Sequence, residues 1–410
     1  MATIRPFRAL RPRPADAARI AAVPYDVVTT AEAREQAGDN ALSFLRVSRP
    51  ELEFAPGTDP YGDQIYDRAV QNFAGLKKSA FVVEDEPAIY CYRLQSGDHE
   101  QIGVAACYLL DEYDRGVIKR HERTRRDKED DRTRHMLAIG AQTGPALLVY
   151  RSSPMVDDLT ARVTAAAPLF DFVAADGVRH TVWTVSDGVR DGFVTAFAAI
   201  PSLYIADGHH RVASAARARR DILDRGITRS SLGDDADDST FLGVAFPHNQ
   251  ARILPYNRIV KDLGALSGGQ FLQAVRERFD VTHGPATPST RGEIAMYFDN
   301  AWHTLRPRVR SDSSDPIRSL DVTVLERQLL EPILKIGDIR TDKRIDFVGG
   351  ARGAGELERL VHAGNAAVAF SLYPVSVSDL MSVSDAGEVM PPKSTWFEPK
   401  LRDGLLIHVI

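Results

Sequence analysis

The sequence predicts a mixed α/β (α+β) protein, in which helices flank mixed sheets. Short apolar runs bounded by turn residues or charges alternate along the chain with longer segments of helical spacing. Two apolar runs between residues 88 and 110 are close enough to pair as a hairpin, which requires antiparallel strands. A mixed sheet is therefore expected rather than a purely parallel one.

The individual elements follow from the same patterns. Six apolar runs predict strands at residues 89–94, 103–110, 145–150, 180–185, 202–206 and 241–246. Four stretches predict helices at residues 66–80, 211–226, 270–279 and 322–334, the last with Asp321 as its N-cap. Boundaries near 80 and 262 give an N-terminal α/β segment that packs on the core (1–80), a central core (81–262) and a C-terminal α/β domain (263–410).

The composition narrows the class of protein. A net charge of -5 and 44% apolar residues describe an ordinary globular chain of 410 residues. The negative balance argues against a protein that coats nucleic acid or an anionic membrane. The chain has no secretory signal and no run of about 18 apolar residues, so we expect a cytoplasmic protein with no membrane partner. Cys91 and Cys107 lack CxxC spacing, which argues against a disulfide framework or a cysteine-rich zinc site.

The stretch PSLYIADGHHRVAS places a polar turn where an apolar strand gives way to a helix. Amides at a helix start point outward and, with the helix dipole, favour a bound phosphate. Gly208 lets the backbone approach a ligand, and the guanidinium fork of Arg211 suits phosphate. His209 and His210 donate without a fixed charge, while Asp207 is expected to hold Mg²⁺ or orient a hydroxyl. Alternatively, Asp207 is an N-cap and the histidines are half-buried polar residues.

A dense charge run, IKRHERTRRDKEDDRTRH, covers residues 118–135. One interpretation is a solvated helix with weak ion pairs, because Glu122 and Arg126 have helical spacing. The other interpretation is a ligand-binding site at a sheet edge. His121 and Glu122 closely follow an apolar strand, and binding sites in α/β folds usually lie at strand ends. Four residues behind them would give a nucleotide pocket polar and positive contacts: Arg123, Thr124, Lys128 and Arg132.

Two further segments are candidates for the site. MPPKSTWFEPKLRDGLLI, residues 390–407, carries two of the few lysines in a stretch that its prolines predict to be extended. Lysine is a compact cation that suits phosphate, whereas Trp396 and Phe397 fit either stacking on a base or core packing. Near the start, AAVPYDVVT contributes Tyr25 and Asp26. The nucleotide contacts expected from the late segment are Lys393, Ser394, Thr395 and Lys400.

Six motifs together resemble a large family of bacterial and archaeal proteins that is catalogued only as a domain of unknown function. They are PYDV, KRHERT, QTGP (142–145), ADGHHR, ILPYNRIV (253–260) and MPPKSTWFEPKL, in the family's order over nearly the whole chain. The central part also resembles the ParB and sulfiredoxin superfamily, whose nucleotide-binding members place a strand, a glycine-containing phosphate turn and a helix in this way. Kinases of free serine are among its relatives. The resemblance implies a ParB/sulfiredoxin-like nucleotide-binding core.

The resemblance also implies an activity. It is that of a nucleotide-dependent kinase, with ATP or ADP and Mg²⁺, that phosphorylates a hydroxyl group of a small metabolite, first of all free L-serine. Glu122 in RHE then matches the base, and the ADGHHR turn matches the phosphate turn. No nucleic-acid partner is implied, and a homodimer stays open. The roles that follow are catalysis for Glu122, Asp207, His209 and His210, metal binding for Asp207, and acceptor binding for Tyr25, Asp26 and His121.

Two other functions stay open at this point. A ParB-like nucleotide-binding switch would change shape on binding a nucleotide and grip a protein partner. A metal-dependent hydrolase would use His121, Glu122, His209 and His210, although adjacent histidines seldom both reach one metal and HExxH spacing is missing. The chain has neither a Walker-type loop nor a GxGxxG fingerprint, so a nucleotide would need another cradle.

Overall fold

The computed structural model of the protein describes residues 1–226, 237–309 and 315–410. The chain forms two compact units. The first unit contains residues 1–120, 124–251 and 399–410, and the second contains residues 121–123 and 252–398. The last stretch of the chain therefore belongs to the first unit. The three-part division at 80 and 262 stays a prediction beside this one.

The strands and helices of the described residues have the following bounds. The strands are β1 Ile4–Arg5, β2 Leu10–Pro12, β3 Phe81–Val83, β4 Tyr90–Ser96, β5 His99–Leu109, β6 Ile118–Lys119, β7 Ala141–Gln142, β8 Ala146–Tyr150, β9 Phe170–Val173, β10 Arg179–Thr184, β11 Leu203–Asp207, β12 Thr240–Pro247, β13 Ile253–Leu254, β14 Tyr256–Val260, β15 Phe279–His283, β16 Ile294–Phe298, β17 Ala301–Pro307, β18 Ile345–Gly349, β19 Val368–Leu372, β20 Trp396–Phe397 and β21 His408–Val409. The α-helices are α1 Ala17–Ile20, α2 Thr30–Ala37, α3 Leu45–Ser48, α4 Asp63–Ser79, α5 Leu110–Asp114, α6 Arg126–Ile139, α7 Pro154–Thr164, α8 Asp187–Ala198, α9 His209–Asp224, α10 Gly268–Arg278, α11 Asp321–Leu325, α12 Gly353–His362 and α13 Val377–Asp385.

The main sheet of the first unit is mixed, which confirms the predicted fold class. Strand β12 pairs in parallel with β8 and antiparallel with β5, and β4 and β5 form the predicted hairpin. All eight residues of β12 are buried, as expected for a strand whose two faces are both covered. The strand order is β6-β11-β8-β12-β5-β4-β10-β9, with β1 beside β5.

Helix α9 starts where β11 ends, with only Gly208 between them. The helix forms because alanine and arginine dominate it, and its buried residues Val212, Ala215, Ala216 and Ile222 recur at helical spacing. Val212, Ala215 and Ala216 pack into the main apolar core of the first unit. Asp207 and the first turn of α9 thus lie together at the carboxyl end of β11.

A second apolar cluster of the first unit joins the N-terminal helices to the end of the chain. Its members include Phe44, Phe73 and Ile407. The main chains of Leu10 and Ile407 exchange two hydrogen bonds of 3.1 Å, and β21 pairs antiparallel with β7. Residues 399–410 are therefore fixed by both backbone pairing and apolar packing.

The second unit contains an antiparallel sheet with the order β15-β17-β16-β19-β14-β18. Helix α12 covers its core, since Leu357 of that helix is fully buried. A separate short pair joins β13 to β20, with Ile253 opposite Phe397. The core cluster consists of Ile259, Tyr297, Val348, Leu357, Ala366 and Ala369.

Each predicted strand and helix has a counterpart in the structure, with small shifts at the ends. One detail is wrong: Asp321 is not an N-cap but the first residue of α11, and Leu320 occupies the cap position. The Asp321 carboxylate instead accepts the Gly292 amide, with oxygen–nitrogen distances of 3.0 and 3.1 Å. The helix predicted to continue to residue 334 changes to a π-helical turn at Glu326–Leu330. Among the described residues, no helix has both the length and the apolar character of a membrane span.

Candidate functional site

The turn between β11 and α9 depends on Gly208. Its φ of 91° lies in the left-handed region, which favours glycine. A Cβ atom here would also lie 3.2 Å from the Cα of Ala146, closer than ordinary van der Waals contact, so the neighbouring strand would have to shift by a few tenths of an ångström. The strand–glycine–helix geometry that the sequence predicts is therefore present, and it places the first turn of α9 at the edge of the main sheet.

Asp207 closes this turn and pairs with Lys400. Its Oδ1 accepts the Gly208 amide at 2.9 Å, and its Oδ2 lies 2.8 Å from the Lys400 Nζ. The lysine side chain is 11% exposed, so solvent screens the pair only weakly. Burial alone would raise the pKa of Asp207, but Lys400 and Arg211 outweigh that effect and hold the pKa well below its usual range. The carboxylate is therefore ionised at neutral pH.

Arg211 connects the turn to the PYDV and QTGP motifs. Its Nη1 donates to the carbonyl of Pro145 at 2.7 Å, and its Nη2 lies 3.5 Å from Asp26 Oδ1. The guanidinium carbon also lies 5.9 Å from the ring centroid of Tyr25. Burial raises the pKa of the Tyr25 phenol, so this ring stays neutral. The structure thus brings together three sequence candidates of the first unit, and the predicted phosphate contact of Arg211 stays a prediction.

Asp403 is a member of this cluster that the sequence reasoning missed. Its side chain is buried, and its Oδ1 has no hydrogen-bond partner among the described residues. Burial raises the pKa of Asp403 to about 7, against a lowering by Arg211 and a further rise from Asp26. A Cβ atom on Gly144 would lie 2.1 Å from Asp403 Oδ1, so the glycine of QTGP makes room for this carboxyl group. The only signal in the sequence was the position of Asp403 three residues after Lys400.

A small cavity adjoins Asp403 within the first unit. Its volume is about 40 Å³, which exceeds the space that one water molecule needs. Its charged lining residues are Arg132, Arg211 and Asp403, and further residues with polar side chains also line it: Tyr25, Ser48, His135, Gln142 and Thr143. Gly144 lines the cavity beside Asp403.

His210 links the starts of two helices. Its Nε2 accepts the amide of Arg125 at 3.0 Å, and Arg125 is the N-cap residue of α6. An acceptor nitrogen carries no proton, so this contact selects the tautomer with the proton on Nδ1. His209 is buried, with 6% of its surface exposed. The predicted catalytic roles of both histidines stay predictions.

The charge run after β6 is only partly helical. Helix α6 begins at Arg126, so Glu122 and Arg126 do not form the predicted pair on one helix. Three predicted nucleotide contacts have partners within the first unit. Thr124 donates to Glu129, Lys128 donates to the Tyr61 hydroxyl at 3.2 Å, and Arg132 pairs with Asp131 at 2.8 Å.

Arg132 is a packing residue as well as a charge. Its guanidinium carbon lies 4.3 Å from the ring centroid of Tyr25, and its Nη1 donates to the carbonyl of Ser48 at 3.2 Å. With Arg211 on the same ring, Tyr25 is in contact with two guanidinium groups. The predicted acceptor-binding residue Tyr25 therefore lies at the centre of the charged cluster.

The remaining candidates belong to the second unit. His121 Nε2 lies 3.2 Å from Thr395 Oγ1, and the His121 carbonyl accepts the Met390 amide at 2.8 Å. Glu122 and Arg123 line a separate pocket of about 430 Å³ with Glu326, Asp338 and Arg340. The structure thus unites the RHE motif with the late MPPKST segment.

The MPPKST segment is a turn rather than the predicted extended stretch. Lys393 has a φ of 58°, and Ser394 Oγ donates to the Pro391 carbonyl at 2.6 Å. Prolines fix only their own φ, which leaves the residue after them free to turn. The fully buried guanidinium of Arg258, from the ILPYNRIV motif, donates to the carbonyl of Pro392 at 3.4 Å.

The two aromatic residues of this segment pack inside the second unit. The Trp396 ring lies edge-on to Tyr256 with centroids 5.3 Å apart, and Phe397 is buried. A Cβ atom on Gly349 would meet the Trp396 ring at 2.6 Å, so that glycine allows the close contact. Core packing therefore accounts for these side chains, one of the two interpretations that the sequence left open.

Solved structures to which the chain is similar include a free serine kinase in complex with AMP. That match has 14% identity and a TM-score of 0.37, and covers 74% of this chain and 92% of the other. A conserved hypothetical protein from Pyrococcus furiosus has 14% identity, a TM-score of 0.36 and coverages of 74% and 94%. SbnI with a C-terminal truncation from Staphylococcus aureus has 11% identity and a TM-score of 0.36, and the match covers 73% of this chain and 85% of that one. Similarity this low assigns no activity to the chain.

Family membership comes from the sequence. No curated protein matches the chain at a significant level. A family model matches residues 4–323, which include the PYDV, KRHERT, QTGP, ADGHHR and ILPYNRIV motifs, whereas Lys400 and Asp403 lie beyond the matched range. The chain belongs to the family described as "Protein of unknown function (DUF1015)".

Proposed function

We propose that the protein is a nucleotide-dependent phosphotransferase that moves a phosphoryl group to the hydroxyl of a small metabolite, with L-serine as the first acceptor to test. The donor would be ATP or ADP with Mg²⁺. The observation that carries the proposal is the pair of Asp207 and Lys400 at a strand–glycine–helix turn. A buried cation beside a helix start is an arrangement that suits phosphate oxygens.

The first unit supplies the parts that such a reaction needs for charge neutralisation. The Lys400 ammonium lies 2.8 Å from Asp207 Oδ2, which places a positive charge at the turn where a phosphate would bind. The left-handed Gly208 lets a phosphate approach the main chain at the first turn of α9. Positioning and charge stabilisation provide most of the catalysis in phosphoryl transfer, since the protein forms few covalent bonds in it.

Asp207 is the residue of this turn that fits Mg²⁺. The ion prefers one or two carboxylates together with substrate phosphates, and the Asp207 carboxylate is ionised at neutral pH. When bound, the metal would neutralise charge on the nucleotide. The Asp207 carboxylate also accepts hydrogen bonds from the Gly208 amide and from Lys400. It would therefore orient the Lys400 ammonium group as well as bind the metal.

Glu122 is the proposed base, and His121 would contact the acceptor. Both assignments rest on the resemblance of the RHE motif to the serine kinases. Support within the second unit is limited to the pocket that Glu122 lines and to the His121–Thr395 contact. A cytoplasmic location and the absence of a nucleic-acid partner are part of the same proposal.

The proposal is tested by phosphorus NMR of the protein with Mg²⁺, ATP or ADP, and L-serine among other hydroxylated metabolites. We expect a new phosphomonoester signal that requires one acceptor, and its loss in Lys400→Met and Glu122→Gln. Lys77→Met is the matched control, because Lys77 lies on α4 over the Phe73 ring. Nucleotide binding without transfer to any acceptor would favour the ParB-like switch instead, and no binding would refute both.

A further inference from the structure

The guanidinium group of Arg402 is buried in the first unit, two residues after Lys400. The residue is 3% exposed, and its Nη1 has no hydrogen-bond partner among the described residues. Its Nη2 pairs with Asp176, and its Nε donates to His180 Nε2 at 3.1 Å. Burying a guanidinium costs desolvation free energy, and apolar side chains of similar volume are often equally or more stable in its place. Stability alone therefore does not favour an arginine at this position.

His180 joins Arg402 to the main sheet. Its strand β10 lies between β9 and β4, so the ring stacks on Phe172 with centroids 5.4 Å apart, and its Nδ1 lies 2.9 Å from the Tyr92 hydroxyl. An arginine Nε only donates, so His180 Nε2 accepts and Nδ1 carries the proton of the neutral ring. Burial, with Arg402 beside the ring, holds the pKa of His180 well below its usual range. The ring is therefore a fixed acceptor at neutral pH.

Arg402 anchors the stretch of chain between Lys400 and Asp403. The Lys400 ammonium bonds to Asp207 before this point, and main-chain pairing with the N-terminal region begins after it, at Asp403. The Arg402 side chain fastens the backbone between these two contacts to the interior of the sheet, through His180. A ligand that drew the Lys400 ammonium towards itself would leave this anchor in place. The backbone from which the lysine side chain starts is thus held independently of the charge pair at the turn.

We propose that Arg402 and His180 are positioning residues, which hold the main chain at Lys400 so that its ammonium group meets the phosphate turn at Asp207. The inference rests on the proposed function, because it concerns the cation that the phosphotransferase would bring to the phosphoryl group. Both residues are buried, and they would act on the reaction only through Lys400. Such an effect is large enough to measure, since misplacing a reacting or stabilising group by about 1 Å can slow a reaction by about a hundredfold.

The first measurement follows the position of Lys400 in the whole protein without any ligand. Acetic anhydride labels accessible amines, and mass spectrometry compares the rate at Lys400 with the rate at Lys119, another partly buried lysine of the first unit. His180→Phe keeps a ring beside Phe172 but removes the acceptor for Arg402. We expect it to raise the labelling rate of Lys400 several-fold and to leave that of Lys119 unchanged. His180→Gln should restore a rate close to wild type, because its amide oxygen can accept from Arg402.

The second measurement is phosphoryl transfer from ATP with Mg²⁺ to L-serine and the other hydroxylated metabolites. We expect His180→Phe to lower kcat by about tenfold and to change the nucleotide KM by about twofold at most, because the displaced cation mainly stabilises charge in the transition state. His180→Gln should recover most of the rate. Arg179→Met is the control on the same strand, since Arg179 is 47% exposed and its pair with Asp171 lies at the surface. It should change neither the labelling nor kcat.

Arg402→Met provides a second route to the same result. It is expected to fold, because Asp176 is 45% exposed and stays hydrated without the guanidinium group. Labelling of Lys400 that is unchanged in both Arg402→Met and His180→Phe would overturn the inference, since Lys400 would then be held without this network. An equal rise at Lys119 would overturn it as well, because it indicates general loosening of the unit. Faster labelling of Lys400 alone, in a protein that transfers no phosphoryl group, would instead support the positioning role and refute the proposed kinase.

Discussion

Lys400 Nζ lies 2.8 Å from Asp207 Oδ2, although 193 residues separate the two along the chain. In Lys400→Met, the Asp207 carboxylate, which is 29% exposed, would lose its main cation. We expect the free energy of unfolding at pH 7 to fall by about 1–2 kcal/mol, because a half-buried charge remains without its partner. Urea unfolding measures this change, and Lys77→Met should stay within about 0.5 kcal/mol of the wild type.

The double variant Asp207→Asn with Lys400→Met distinguishes the interaction between the two charges from the contacts that each residue makes with its surroundings. Removing both charges should recover most of the stability lost in Lys400→Met, since neither partner is then left alone. Equal losses in the single and the double variant would show that Lys400 stabilises the unit by packing rather than through Asp207.

Asp403 predicts a distinct dependence of stability on pH. Its pKa is raised from 3.8 to about 7 by burial, with Arg211, Asp26, Arg132 and Arg402 around it. Between pH 4 and 7 the folded protein keeps a proton that the unfolded chain has released, so stability falls as pH rises. Asp403→Asn removes this loss, and its stability relative to wild type should grow from near zero below pH 4 to on the order of 4 kcal/mol at pH 8.

That experiment requires urea unfolding of both proteins at several pH values. Other carboxylates, Asp207 among them, titrate in both proteins and cancel in the difference. A difference that is independent of pH would mean that Asp403 is ionised in the folded protein throughout, and that another group balances it.

Gly208→Ala tests the geometry of the phosphate turn. The added methyl group meets Ala146 and forces a φ of 91° on a residue that disfavours it, so we expect a loss of about 1–3 kcal/mol and weaker nucleotide binding. Gly177→Ala is the matched control, because Gly177 has a φ of 80° but nothing within 4 Å of an added Cβ. In Gly177→Ala we expect thermal unfolding to show only the loss of stability that the positive φ causes. Calorimetry should show an unchanged nucleotide affinity.

Arg258→Met tests how the second unit holds its MPPKST turn. Burial lowers the pKa of Arg258 to about 10, so the guanidinium is costly to bury and its removal should change the stability of the unit little. The bond to the Pro392 carbonyl is lost, however. We expect faster tryptic cleavage after Lys393, read by mass spectrometry, with the rate at an exposed site such as Arg340 unchanged. Equal cleavage rates would mean that Trp396 and Phe397 hold the turn without Arg258.

Local patterns explain why most elements were predictable from the sequence. The apolar runs of β8 and β12 and the spacing of α9 are properties of neighbouring residues, and the structure confirms all three. Gly208 was equally predictable, because the positive φ belongs to a local turn. Where a side chain changes its expected role the cause is tertiary, as for Asp321, whose carboxylate bonds to Gly292 from another loop.

The candidate site was harder to predict because its main contacts are distant in sequence. Arg211 was expected to face a phosphate, but its carbonyl partner Pro145 comes from the QTGP motif 66 residues away. Asp403 has no local signature at all, since its properties follow from burial against Gly144 and Ala22. A single sequence shows which residues are polar, and only the fold shows which of them have lost water.

The pairing of residues 399–410 with the first unit has a consequence for synthesis. Lys400 and Asp403 are translated after residues 252–398, so a ribosome must complete the whole second unit before the first can receive either side chain. A nascent chain halted at residue 398 would contain Asp207, Gly208 and Arg211 but not the lysine that neutralises Asp207. The charged site therefore assembles only after residue 403 has been translated.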